Sequence, residues 1–459
     1  MGEGSTPDLS LAVYTRLRGL LSSLPPETCA KIMAALEQAN SAGESFPGAE
    51  MIRAELAAVI ASRPSPARRT AVLQRQFFMP VEPFLIDETL PEKRVARIER
   101  SSLTPLWNWL SRDAVPSEIA AYEQNGDLLA LTQAIMPTLR QAVAAPDAIL
   151  RKTIMQMGGP KVFDDLRDML LIYQSQELLK SVGERVPGPI RQLDDHHTRL
   201  MVATLAPFAR GNSPLLPFAA AVLMSKLSVP WQIIRVATAA TESDSGTLIA
   251  GSPFRAVIEI ALADVERLMA RAEKARSNRQ DAMLATATTD FAAYIKALLT
   301  EIELSPEQVW TKRLAALRAR MAQLLQPELE ALPGRIRALL RIRPREQSGR
   351  KAAIDEHERN SIESHLSILM VARSSASELA LNEVTLRVLS DVQSYLDTGI
   401  NPLVEGLRSL TGEDRTYRLL QLDAAVKVAH RVRGAAFATL LAKAIDVAST
   451  EKRPVARTA

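Results

Sequence analysis

Apolar residues along this chain recur mostly at steps of three and four, the period that lines one face of an α-helix. The clearest run is Trp310, Leu314, Leu317, Met321 and Leu324, a seam that predicts a helix packed along one side in a bundle. Before it, Ser305-Pro306-Glu307-Gln308 has the spelling of a capping box with proline in the first turn, so the helix is expected to start at Pro306. Pro327 and Pro333-Gly334 are expected to kink and then break it, because proline removes a backbone donor. Residues 352–397 hold neither proline nor glycine, which predicts one long helix or a tight helical pair. Gly399-Ile400-Asn401-Pro402 should turn the chain, and Thr411-Gly412-Glu413-Asp414 should turn it again before a last helix ending near Val447.

Upstream, the same period predicts short helices over 8–22, 26–40 and 47–62, and further helices over 117–124, 127–143 and 145–157. Gly158-Gly159-Pro160 breaks the chain ahead of a helix to about 184, apolar helices fill 190–240, and two more span 253–279 and 281–302. No sustained alternation of β-branched residues bounded by tight-turn pairs interrupts this, as a sheet would require. The expected fold is all-α: an irregular multi-helix bundle array ending in a C-terminal long-helix bundle.

One segment departs from the pattern. Residues 77–104 carry Pro80, Pro83 and Pro91, with Pro105 just beyond, so most of the stretch is barred from helix. It is also rich in aromatic residues in a chain where these make up only 4%. Such a segment either packs as an ordered strap or serves as a contact surface. Phe77, Phe78, Phe84, Trp107 and Trp109 are accordingly candidates for anchors into the body or for contacts with a protein partner. The expected division is an N-terminal short-helix region (1–65), strap plus helical domain (66–190), apolar helical core domain (191–304) and C-terminal bundle (305–448). A disordered basic tail (449–459) is expected to follow.

The 47% apolar and 24% charged content is that of a folded globular chain, and 459 residues exceed what one small core organises. Cys29 stands alone, which excludes an internal disulfide and fits a reducing compartment. The N-terminus lacks the basic and apolar regions of a secretory signal, and no apolar run approaches the roughly 18–20 residues needed to cross a bilayer. A cytoplasmic protein is expected.

Candidate chemistry is sparse. Asp164-Asp165-Leu166-Arg167-Asp168 has the spelling of the aspartate-rich motif with which isoprenoid synthases hold magnesium to a diphosphate, and Asp164 and Asp168 share a helical face. The same carboxylates also suit a helix start opened by Pro160, where they complement the dipole. Asp194-Asp195-His196-His197 is the densest metal-capable set, but adjacent helical residues diverge by about 100°. His357 and His365 fail both the zinc-protease and di-iron spacings, since Ser361, Ile354 and Ile362 stand where ligands would be needed; an exposed charged helix face is expected there. His430 and Cys29 read as structural. No phosphate loop or nucleophile elbow occurs. No cofactor is implied.

Basic charge is concentrated in sequence. Between Lys312 and Lys351 eleven Lys or Arg face three Glu, in a chain whose net charge is only +4. Arg337, Arg341, Arg343 and Arg345 form a candidate polyanion patch for nucleic acid or an anionic lipid surface within the Arg-rich segment 335–351. Pairing with acidic helix faces or protein partners is the competing use. The leading functional expectation is a non-enzymatic scaffold, adaptor or regulatory protein acting through protein–protein contacts. The rivals are a magnesium-dependent enzyme using Asp164, Asp165 and Asp168, and a nucleic-acid or membrane binder.

Overall fold

The computed structural model describes residues 66–341 other than Asn212, residues 356–450, and scattered positions between 19 and 56. Those scattered positions are helical, and Leu21 and Leu56 are buried against Ile32, Met33, Leu36 and Ile52. The described residues are overwhelmingly α-helical, and their strand is confined to one two-stranded parallel pair, β1 (Leu85–Ile86) with β2 (Ile98–Glu99). No described helix is long and apolar enough to cross a membrane.

The chain forms two compact units: Met1–Glu82 with Thr104–Gly158, and Pro83–Leu103 with Gly159–Ala459. It passes from one to the other at both ends of 83–103, the part of the strap that belongs to the second unit, and again between Gly158 and Gly159. There the left-handed φ values of 99° and 135° suit glycine and disfavour any residue with a Cβ.

In the first unit lie α1 (Pro66–Phe78), α2 (Leu103–Trp109, entering from the strap), α3 (Pro116–Asn125), α4 (Leu128–Val143) and α5 (Asp147–Met157). Phe77, Phe78 and Trp107 pack ring against ring, with centroids 5.0 to 6.1 Å apart. Tyr122 of α3 donates its buried hydroxyl to the Leu73 carbonyl at 3.1 Å, tying α3 to α1.

The second unit continues with α6 (Pro160–Gln174), α7 (Gln176–Arg185), α8 (Asp195–Arg210), α9 (Leu216–Met224), α10 (Ile234–Thr241) and α11 (Gly246–Gly251). Then come α12 (Arg255–Ser277), α13 (Asp281–Glu301), α14 (Val309–Leu339), α15 (Glu356–Ser374), α16 (Ala376–Leu379), α17 (Asn382–Leu407), α18 (Gly412–Arg433) and α19 (Ala435–Thr450). The helices α12 and α13 pack along each other, α9 and α10 lie on α12, and α14, α15, α17, α18 and α19 form the C-terminal bundle. Strap residue Phe84 is buried with its ring 5.5 Å from that of Phe218 on α9.

Several expected boundaries move. The helix after Gln308 starts at Val309, with Gln308 itself extended and Ser305 making no cap. Gln308 is instead drawn to α11, where its amide donates to Thr247 at 2.9 Å. α14 runs unbroken through Pro327 and Pro333, although a helix-interior proline costs about 3 kcal/mol. Burial of Leu324, Leu325, Leu329, Leu332 and Ile336 along the same stretch offsets that loss, and the predicted seam from Trp310 to Leu324 is buried throughout. α17 likewise continues through 399–402. Gly399 lets the helix sit against the Tyr395 ring, which a Cβ would meet at 2.9 Å, and Ile400, Leu403 and Leu407 are buried. The helix opened by Pro160 divides at Ser175, which no proline or glycine marks.

Candidate functional site

The strap is held in the second unit by charge as much as by apolar packing. Lys93 places its ammonium 2.5 Å from Asp165 and 2.8 Å from Asp168 of α6, and also donates to the Arg97 carbonyl at 2.6 Å. Burial pushes both carboxyls above the usual carboxylate range, and the Lys93 charge only partly reverses this. Arg94 forks onto Glu266 of α12 at 2.6 and 2.9 Å, and Arg313 of α14 reaches the same carboxylate at 2.6 Å. Burial pushes Glu266 up, but the hydrogen bonds from Arg94 and Arg313 outweigh it and leave the carboxyl below its ordinary value. Lys161 closes the strap from α6 by contacting both Glu99 and the Leu90 carbonyl.

Next to these pairs, Asp264 of α12 accepts from Arg267 at 2.8 Å and from the Tyr294 hydroxyl at 2.6 Å. Burial raises Asp264, yet the Arg97 and Arg267 charges hold it below the normal range. Burial and the neighbouring Asp264 carboxylate drive Tyr294 well above its own. An ion taken from water into the interior loses several kcal/mol of solvation unless it is paired, so these contacts decide whether the strap stays seated.

The proposed chemistry therefore does not converge. Asp165 is fully buried and Asp168 largely so, both on Lys93, while half-exposed Asp164 turns away to Arg167 at 3.8 Å. The ammonium of Lys93 sits where a cation bridging Asp165 and Asp168 would have to sit. Asp194 caps α8 by accepting from the His197 amide at 2.8 Å and from its ring at 2.7 Å, and these hydrogen bonds hold its carboxyl below the usual range. His196 and His197 stack edge to face on the same exposed helix start, with centroids 5.6 Å apart. Among the described residues no three His, Cys, Asp or Glu side chains are grouped to hold a metal ion.

His357 is exposed as expected, but His365 corrects the expectation of an exposed face: it is fully buried. Its ring lies 3.2 Å from Glu328 and within 3.0 Å of Arg335, and contacts the Ser361 carbonyl at 2.7 Å. The spacing of Ile362, His365, Leu366 and Leu369 carries the signal, since all four fall on one buried stripe of α15.

The five aromatic candidates are all interior. Phe77, Phe78, Phe84, Trp107 and Trp109 expose between 1% and 5% of their surface, packed as interior side chains. Of the arginine patch, exposed Arg337 lies over the Tyr395 ring at 5.8 Å. Arg341 is exposed, and its carbonyl accepts from Gln421 at 3.0 Å. Arg343 and Arg345 lie outside the described residues, as do Cys29 and tail residues 451–459, while Ser449 and Thr450 end α19.

What the geometry does gather is a groove of about 380 Å³ between α15, α18 and the end of α14. Its floor is apolar, made by Leu339, Ile362, Leu366, Ala424 and Val428. Among the described residues its rim is polar: Arg359, Lys427, His430 and Arg431 against the single acid Glu363. Arg359 reaches Glu356 at 3.9 Å and Lys427 reaches Asp423 at 3.1 Å, both pairs within one helix. Exposed pairs of this kind contribute at most about 1 kcal/mol, so a competing carboxylate displaces them at little loss. Composition alone hid this site, because its basic residues sit on separate helices whose acids cancel them in sequence.

Comparisons with protein-family models, curated proteins and solved structures find no match to this chain.

Proposed function

We propose that the protein is a non-enzymatic helical scaffold or adaptor of the cytoplasm, acting through protein–protein contacts, and that the C-terminal groove is its partner-binding surface. The observation that carries this is the groove's combination of an apolar floor with a rim of three permanent cations and one acid. That chemistry suits an acidic amphipathic segment of a partner, which buries aliphatic side chains on the floor while its carboxylates meet Arg359, Lys427 and Arg431.

The reading is tested by selecting peptides from a random display library on the full chain and measuring their affinity for wild type and for a Lys427→Glu, Arg431→Glu variant. Both positions are exposed, so the charge reversal leaves the buried core untouched. Acidic peptides with apolar anchors should dominate, and the charge reversal should weaken them by at least about tenfold, the loss of one or two charge-assisted contacts. Peptides without acidic bias, or with unchanged affinity for the variant, would refute it.

A further inference from the structure

A second cavity, of about 250 Å³, lies where the strap meets α9 and α12, and its walls differ in kind from those of the C-terminal groove. Three guanidinium groups, those of Arg97, Arg267 and Arg271, line it together with Asp87, Glu88 and Asp264. The arginines are not equally satisfied. Arg267 is engaged bidentately by Asp264, at 2.8 and 3.3 Å. Arg97 is only 7% exposed, yet its Nε has no hydrogen-bond partner among the described residues. Its two terminal nitrogens reach the Ala96 carbonyl at 3.5 Å and the Met224 sulfur at 3.4 Å, both weak acceptor contacts. Its carboxylate neighbour Asp264 stands 3.7 Å away and already accepts from Arg267 and Tyr294.

The other acids leave the same surplus of donors. Glu88 approaches Arg267 and Arg271 at 3.8 Å each, close enough to hold their charge in place but beyond hydrogen-bond reach. Asp87 is turned to Arg100 at 2.7 Å. Asp290 of α13, within electrostatic range of Arg267 and Arg271, does not line the cavity. Buried guanidinium groups are normally saturated with acceptors, because each unmet donor in the interior is unfavourable. A cavity edged by the under-used Arg97 and by Arg271 at its mouth, and backed by Pro83, Ile86, Ala221 and Met224, suits an oxyanion attached to a small apolar body.

We propose that this cavity binds a small organic anion whose carboxylate or phosphate group is held by Arg97 and Arg271, with Arg267 fixed behind them by Asp264. Because the strap supplies Arg97, such a ligand also seals the strap against α12. The site shares no residue with the C-terminal groove, so the failure of one proposal leaves the other standing.

The test is calorimetric titration of the full chain with succinate, inorganic phosphate and phenyl phosphate, each against sodium chloride of equal ionic strength. Saturable binding of at least one probe is expected. Binding by succinate alone assigns a carboxylate ligand, and binding by either phosphate probe alone assigns a phosphate or phosphoester. Arg271→Gln, a change at the cavity mouth where the side chain is 40% exposed, should raise the dissociation constant at least about tenfold. Arg97→Gln should abolish binding, and if that variant does not fold, Arg271→Gln decides alone. Titrations indistinguishable from chloride, or affinities unchanged in Arg271→Gln, overturn the proposal.

Discussion

Replacing Lys93 by methionine should unseat the strap in a pH-dependent way. Lys93 is the ammonium shared by Asp165 and Asp168, at 2.5 and 2.8 Å, and Asp165 has no exposed surface. Removing one member of a buried pair costs about 3–5 kcal/mol, because the other charge is left unpaired. Lys93 is itself 19% exposed, which places the loss at the lower end, about 3 kcal/mol or roughly a hundredfold in the opening equilibrium.

The sign with pH follows from burial, which raises both carboxyls in the folded state. A raised folded pKa contributes stability below the unfolded value, about 3.9 for aspartate, that is lost as pH climbs through the folded value. Without Lys93 the folded values rise further, so the variant should be far weaker than wild type at pH 8 and approach it as pH falls and the two acids take up protons. The assay is hydrogen exchange of the 83–103 amides at pH 8 and pH 5.5, corrected for intrinsic rates. Adding Asp165→Asn to Lys93→Met should restore part of the loss at pH 8, since the double variant leaves one fewer unpaired charge. An equal loss at both pH values, no loss at all, or no recovery in the double variant would show that Lys93 does not act as the counter-ion.

Other outcomes follow from the same contacts. Phe84→Ala, removing a buried ring packed on Phe218, should destabilise the second unit by about 3–5 kcal/mol in urea denaturation. Glu266, whose folded pKa is lowered, contributes stability above its unfolded value of about 4.3 that is lost as pH falls through the folded one. Glu266→Gln should therefore flatten the drop in urea midpoint below about pH 4. His365→Ala should destabilise the C-terminal bundle by about 1–3 kcal/mol, as it leaves Glu328 and Arg335 short of a buried partner. Wild type and an Asp164→Ala variant should show the same change in melting temperature with magnesium and pyrophosphate, because Asp164 stands apart from the Lys93-bound pair.

The helical period carried the fold. The seam from Trp310 to Leu324 and the helices on either side of Gly158-Gly159-Pro160 were readable because one-face burial writes itself into spacing. Prolines 327, 333 and 402 misled because local donor loss was weighed without the burial that offsets it. The site was less legible. Lys93, Arg94 and Arg97 stand in a stretch singled out for its aromatics and prolines, and their partners Asp165, Asp264 and Glu266 lie up to 172 residues away. Acids set inside the apolar run from Val257 to Leu268 were the available sign, because a carboxylate amid such neighbours needs a cation brought from elsewhere. The groove joins residues of α14, α15 and α18, a juxtaposition that no single helix encodes.

The most direct test of the adaptor reading is hydrogen exchange across the whole chain with and without a selected acidic peptide. Slowed exchange should concentrate in 359–366 and 424–431, with the strap unchanged. Protection confined to other helices, with these two segments unaffected, would contradict it.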